Sequence, residues 1–202
     1  LGEVSVPLQA AYCASKHGLI GFTDSLRLEL RRAGVPIEVV TVLPSSINTP
    51  FFDQARARLG GRKPMPLPPA YEPTAVAGAI VHACVRPQRD IVVGRAGKLF
   101  ILLNRVSPAL LDLFLLTGDA GAALQTSDRA HDGRDNLFAP LPGPKPVRGS
   151  FGDRWWNVGG SAYTRWLELN PPLKAVAVGA AAVAAVGVLG WLTRGRPALP
   201  AS

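Results

Sequence analysis

The chain has 202 residues, a net charge of +8 and 48% apolar side chains, enough for a domain with a real core and too apolar for a solvated, disordered chain. Its arginines are scattered among Ala, Gly and Pro, with no basic stripe interleaved with aromatics, which argues against a nucleic-acid partner. Cys13 and Cys84 fit neither a disulfide framework nor a zinc site, and His17, His82 and His131 have no partners at ligand spacing, so a reducing compartment and no metal are expected. The chain opens at Leu1 without an initiator methionine or a leader, and reads as the C-terminal part of something longer.

The first motif is Tyr12-Cys13-Ala14-Ser15-Lys16. Residues four apart leave a helix on the same face, so a protonated Lys16 can stand beside the Tyr12 hydroxyl and favour its anionic form. Taken alone, this pair is found more often on solvated helices than in proton-transfer sites. From Gln9 to Arg32 the apolar residues Leu19, Phe22, Leu26 and Leu30 form one stripe, with Asp24, Arg27, Arg31 and Arg32 on other faces. This predicts a long amphipathic helix ended by Gly34 and Pro36. Ile37 to Leu43 is a nearly continuous β-branched run and predicts a strand covered on both faces, hence a parallel sheet. Pro44-Ser45-Ser46-Ile47-Asn48-Thr49-Pro50 leaves the carboxyl end of that strand, the edge where open α/β sheets bind ligands.

Tyr12-x-x-x-Lys16, the helix, the strand and Pro44-x-x-Ile47-x-Thr49, in this order and spacing, resemble the C-terminal half of a short-chain dehydrogenase/reductase over roughly residues 1 to 95. The resemblance implies an α/β fold, the C-terminal part of a doubly wound, Rossmann-like parallel sheet. It implies that Tyr12 is the general acid/base and that Lys16 holds the nicotinamide ribose. Pro44, Ile47 and Thr49 would then receive the nicotinamide carboxamide of NAD or NADP, Ile47 through its backbone and Thr49 through its hydroxyl. Ser45 stands where the family has glycine. The family's glycine-rich phosphate loop and its catalytic serine are not in this sequence and are expected upstream of Leu1. The resemblance also implies a homo-oligomer formed through the helix that carries Tyr12.

Phe51 to Pro73, rich in Gly, Pro and Arg, is open to two readings, a mobile substrate lid or a plain surface connection. Glu72-Pro73-Thr74 starts a buried helix running to Val85, in which His82 and Cys84 are packing residues, and Asp90 to Gly94 is the last strand. Lys98 to Leu116 breaks into two short amphipathic helices that cover the substrate side, or alternatively graze a membrane. Such a hydrophobic cover suits an apolar alcohol or ketone. Gly118 to Gly149, with alternating prolines from Pro140 to Pro146, reads as an extended linker. Ala175 to Leu192 carries no charge, lies between Lys174 and the pair Arg194 and Arg196, and has Trp155, Trp156, Trp166 and Trp191 on its flanks, which reads as a single transmembrane helix.

The expected organisation is therefore a Rossmann-like part over 1–117, a linker and juxtamembrane segment over 118–172, a span over 173–193 and a short tail. The expected function is NAD(P)-dependent interconversion of an alcohol and a carbonyl on a small molecule, by a catalytic part tethered to a membrane on its cytoplasmic side. The alternative from another class is a non-catalytic, membrane-anchored scaffold without the cofactor-binding half.

Overall fold

A computed structural model describes residues 1–117, 120–144, 146–154 and 157–194. Expectations placed on Trp155, Trp156 and Arg196, and on the side chains of Trp191 and Arg194, lie outside the described residues. Helix α1, Ala10–Arg32, agrees with the predicted helix to one residue, and Gly34 in a left-handed conformation follows its end. Strand β1 is shorter than expected, Thr41–Pro44, and pairs in parallel with β5, Asp90–Val93. Ile37 to Val40 lie before the register in which Thr41 faces Asp90, so they have no strand partner among the described residues, and Ile37 and Glu38 are exposed.

Helix α3, Pro73–Val85, starts with Pro73 in its first turn and crosses from β1 to β5, completing a β-α-β unit. It is covered on one face only: Ala79 is buried against Ile91 and Val93, while Ile80, Val81 and Val85 are exposed. The expectation of a wholly buried helix is thereby corrected. Small residues at 75, 79 and 83 let the backbone lie close on the sheet, and among the described residues the outer face has no second layer on it. Cys84, expected in packing, is likewise exposed.

Beyond the crevice, β2 (Ser46–Ile47), β4 (Ala70–Tyr71) and β7 (Asn157–Val158) form a three-stranded parallel sheet in the order β2-β4-β7. The segment after Thr49 holds a short helix α2, Phe51–Gln54, and β3, Arg62–Pro64, which pairs antiparallel with β6, Thr126–Ala130. Helices α4 (Arg95–Val106) and α5 (Pro108–Leu116) are the two expected amphipathic pieces, separated at Ser107 because Pro108 cannot continue the donor ladder. Leu111 and Leu115 are buried with Val4, and Phe100, Ile101 and Leu103 pack on them.

The stretch expected as a linker is built differently. It contains α6, Ala120–Ala123, and β6, and Phe151 just beyond it is fully buried against Ala70, Phe52 and Met65. A π-helical turn, Thr164–Glu168, then covers the open edge of β5. Thr164 accepts the Gly94 amide through its hydroxyl at 2.9 Å, and Glu168 accepts the Val92 amide at 3.2 Å. These are the edge donors that β1 does not use, and leaving such a buried N–H unpaired costs about 1–3 kcal/mol. Glu168, 1% exposed, also holds Lys174 at 2.7 Å in the first turn of α7, Pro171–Arg194. Burial pushes the Glu168 carboxyl up, but hydrogen bonds from Lys174 and Tyr163 outweigh it and hold it below the usual carboxylate range. The same contact, after burial, drives the Tyr163 phenol well above its ordinary value. Helix α7 is long and apolar enough to cross a membrane: Pro171–Val188 has a mean hydropathy of 1.6 and none of it is buried.

Candidate functional site

Arg27 sets how α1 lies on the sheet. The amphipathic pattern placed it on a solvated face, yet it is buried. It donates to the carbonyls of Val39 at 3.1 Å and Arg89 at 3.3 Å, to the Thr41 hydroxyl at 3.2 Å and to Asp24 at 2.5 Å. The open carbonyls at the starts of β1 and β5 are what draw it inward, because buried backbone acceptors need donors. Leu19 and Phe22, on the apolar stripe, are exposed instead.

Tyr12 lies in the first turn of α1, 42% exposed, with its ring 6.4 Å from that of Phe51. The Lys16 ammonium stands 5.2 Å above the same ring, a cation over a π face. Tyr12 and Lys16 therefore share one face of the helix. Among the described residues Lys16 has no carboxylate partner, so its charge is available to a ligand.

The segment from Pro44 to Pro50 leaves β1 as expected and makes the two-residue strand β2 on the way. Pro44 is exposed, and Ile47 and Thr49 are half-buried. The Thr49 amide donates to the Ile47 carbonyl at 3.0 Å, a tight local turn, and its hydroxyl makes no hydrogen bond among the described residues. Ser45 donates its amide to the Val93 carbonyl at 2.8 Å. Its side chain is housed by two glycines: a Cβ at Gly94, where φ is +104°, would come within 2.7 Å of the Ser45 Cβ, and one at Gly97 within 3.1 Å. The serine thus occupies space that its neighbours across the sheet end leave open, and the turn keeps its path.

Three residues that the sequence pattern gave no role, Phe51, Asn48 and Gln125, support this arrangement. Phe51 is 54% exposed beside the phenol. Asn48 is fully buried: its amide donates to the Tyr71 carbonyl at 3.0 Å, its carbonyl accepts from Gly149 at 3.1 Å and its Oδ1 accepts from the Phe151 amide at 3.3 Å. Gln125 is buried next to the start of α1, donating to the Pro7 carbonyl at 3.1 Å and pairing with the Gln9 side chain. Apart from Asn48 and Tyr71, these hydrogen-bonded partners are about a hundred residues apart or more in sequence, where no local periodicity links them. Pro50 and Gln54 also face Asn136, Pro140, Leu141 and Pro146 across a cleft of about 250 Å³.

The class that this arrangement defines is a parallel α/β protein with a phenol–ammonium pair beside the loop at a strand's carboxyl end, consistent with a Rossmann-like fold. Residues 1–60 match the family model described as short chain dehydrogenase. Among curated relatives, the uncharacterized oxidoreductase YxnA of Bacillus subtilis is 32% identical over 111 residues, 55% of this chain and 31% of the relative. Human estradiol 17-beta-dehydrogenase 11 is 29% identical over 108 residues, 53% of this chain and 33% of that protein. The putative oxidoreductase SadH of Mycobacterium tuberculosis is 31% identical over 123 residues, 52% and 40% respectively. The chain thus spans about a third of the length of the curated relatives that it matches. No solved structure matches it.

Proposed function

We infer that the protein to which this chain belongs is an NAD(P)-dependent oxidoreductase interconverting an alcohol and a carbonyl. The observation that carries this reading is the half-exposed Tyr12 ring, with the Lys16 ammonium 5.2 Å above it and Phe51, from the loop's far end, 6.4 Å away. The residues present fit a nicotinamide nucleoside. Lys16 is a cation with no carboxylate partner among the described residues, suited to ribose hydroxyls, and Thr49 keeps a free hydroxyl next to the Ile47 backbone for a carboxamide. When bound, the nicotinamide supplies or accepts a hydride at the carbonyl carbon. Tyr12 gives the proton to the forming alkoxide oxygen and takes it back in the oxidative direction. Lys16 stabilises the negative charge left on the phenol.

Phe51 makes the wall next to the phenol apolar, which favours an apolar substrate, in keeping with the name of the human relative. Helix α7 is read as a single membrane span that keeps the catalytic part on the cytoplasmic face, and the exposed stripe of α1 as the contact with a second copy. Either cofactor, NAD or NADP, is compatible with these residues.

The test is made in the full-length protein. Tyr12→Phe lowers NAD(P)H-dependent turnover by about 10²–10⁴-fold with cofactor affinity little changed, whereas Lys16→Ala lowers both. Normal turnover by the Tyr12→Phe variant would overturn the assignment.

A further inference from the structure

We propose that Gly149-Ser150-Phe151 is a strap that fixes the loop Ile47–Pro50 from behind and so positions the nicotinamide end of the cofactor. The proposal rests on the cofactor reading given above. Two hydrogen bonds cross between strap and loop, and a third ties the strap to α2 just beyond the loop. Gly149 donates to the Asn48 carbonyl at 3.1 Å, Phe151 to Asn48 Oδ1 at 3.3 Å, and the Ser150 amide to Asp53 at 3.0 Å. The approach is too close for any side chain: a Cβ on Gly149 would lie 2.4 Å from the Thr49 carbonyl oxygen and 2.8 Å from Asn48 Oδ1. Strap and loop are therefore in backbone contact at the residue proposed to bind the carboxamide.

The strap is itself held. Phe151 is fully buried in the cluster with Ala70, Phe52 and Met65. Arg129, from β6, donates to the Ser150 carbonyl at 2.7 Å and lies 4.9 Å above the Phe151 ring. Asn48 keeps its fully buried place although its side-chain Nδ2 has no hydrogen-bond partner among the described residues. Such an omission is unfavourable, because the buried donor gives up its hydrogen bond to water. It is offset by the use of every other polar group of Asn48 to join the loop, β4 and the strap. Gln125, from the same C-terminal segment, holds the Pro7 carbonyl just before α1, so one stretch of chain braces both sides of the site.

A strap with this role acts on the nicotinamide end and leaves the rest of the dinucleotide alone. In the full-length protein, Gly149→Ala weakens NAD(P)H binding by about tenfold, a change equivalent to ~1.4 kcal/mol. It leaves the affinity for ADP-ribose or its 2′-phosphate, which lack the nicotinamide, unchanged. Ser150→Ala, which keeps the backbone bonds and loses only the hydroxyl's contacts with Asp53, Arg129 and Lys63, weakens NAD(P)H binding by about twofold and guards against misfolding of the first variant. Equal weakening of both ligands would mean a general structural role and overturn the proposal, as would NAD(P)H affinity unaffected by Gly149→Ala. Hydrogen–deuterium exchange separates this from the cofactor reading: in Gly149→Ala the Asn48 amide exchanges faster. If the wild-type protein bound no dinucleotide, the cofactor reading and the strap's proposed role would fall together, while faster exchange would still support the strap as the support of the loop. Unchanged exchange at Asn48 would overturn the strap itself.

Discussion

Asp53 accepts hydrogen bonds from Lys63 at 2.5 Å and from both the amide and the hydroxyl of Ser150, and so joins α2, β3 and the strap at one carboxylate. Burial pushes this carboxyl up, but Lys63 and Ser150 outweigh it and hold it below the usual carboxylate range. A carboxyl depressed in the folded state contributes stability that is fully present above its unfolded value of about 3.9 and is lost as the pH falls through the lower folded value. Between about pH 5 and 3 the wild-type protein is therefore expected to lose more thermal stability than Asp53→Asn, measured as the shift in Tm. Equal shifts would show that Asp53 is not one of the groups titrating. At this scale the sequence was readable where chemistry is local. Tyr12 and Lys16 follow from helical spacing, whereas Arg27, Asn48 and Gln125 owe their burial to acceptors and donors supplied by distant backbone.

Helices were the most legible elements, because capping and breaking signals are local: Gly34 beyond α1, Pro73 at the start of α3 and Pro108 between α4 and α5 all stand where the pattern placed them. Strands were less so. Ile37 to Val40 have the composition of a strand, yet a strand exists only where a partner does, and β5 meets β1 from Thr41 onward. The proline-rich stretch after Leu116 has a linker's composition, but β6 finds β3 sixty residues upstream and Phe151 finds a buried pocket. The reach of the chain's end is set by a similar long-range contact. Glu168 caps β5 and holds Lys174, so α7 departs from the sheet edge with its first turn fixed. Deleting residues 175–192 leaves that latch in place, and is expected to move the protein from the membrane fraction to the supernatant while the folded part survives limited proteolysis. Unchanged partitioning on ultracentrifugation would rule out α7 as the anchor.

Among the described residues of the whole molecule, most buried apolar side chains fall in three separate patches: around Val4 and Leu111, around Ala70 and Phe151, and around Ala79 and Ile91. Large apolar side chains stay exposed on α1, α3, α4 and α5, among them Phe22, Val81, Leu99 and Leu113. Surfaces of that kind call for a covering layer, and the chain spans only about a third of its curated relatives. We read them as the faces on which the rest of a doubly wound domain and a second copy pack. We propose that Tyr12, Lys16 and the Ile47–Thr49 loop form one nicotinamide site. A crystal structure of the full-length protein with NAD(P) bound tests it most directly. The carboxamide is expected at about 3 Å from the Ile47 backbone and the Thr49 hydroxyl, with Lys16 on the ribose. A nicotinamide ring seated away from the Tyr12 phenol, with Lys16 and Thr49 out of its reach, would contradict the account.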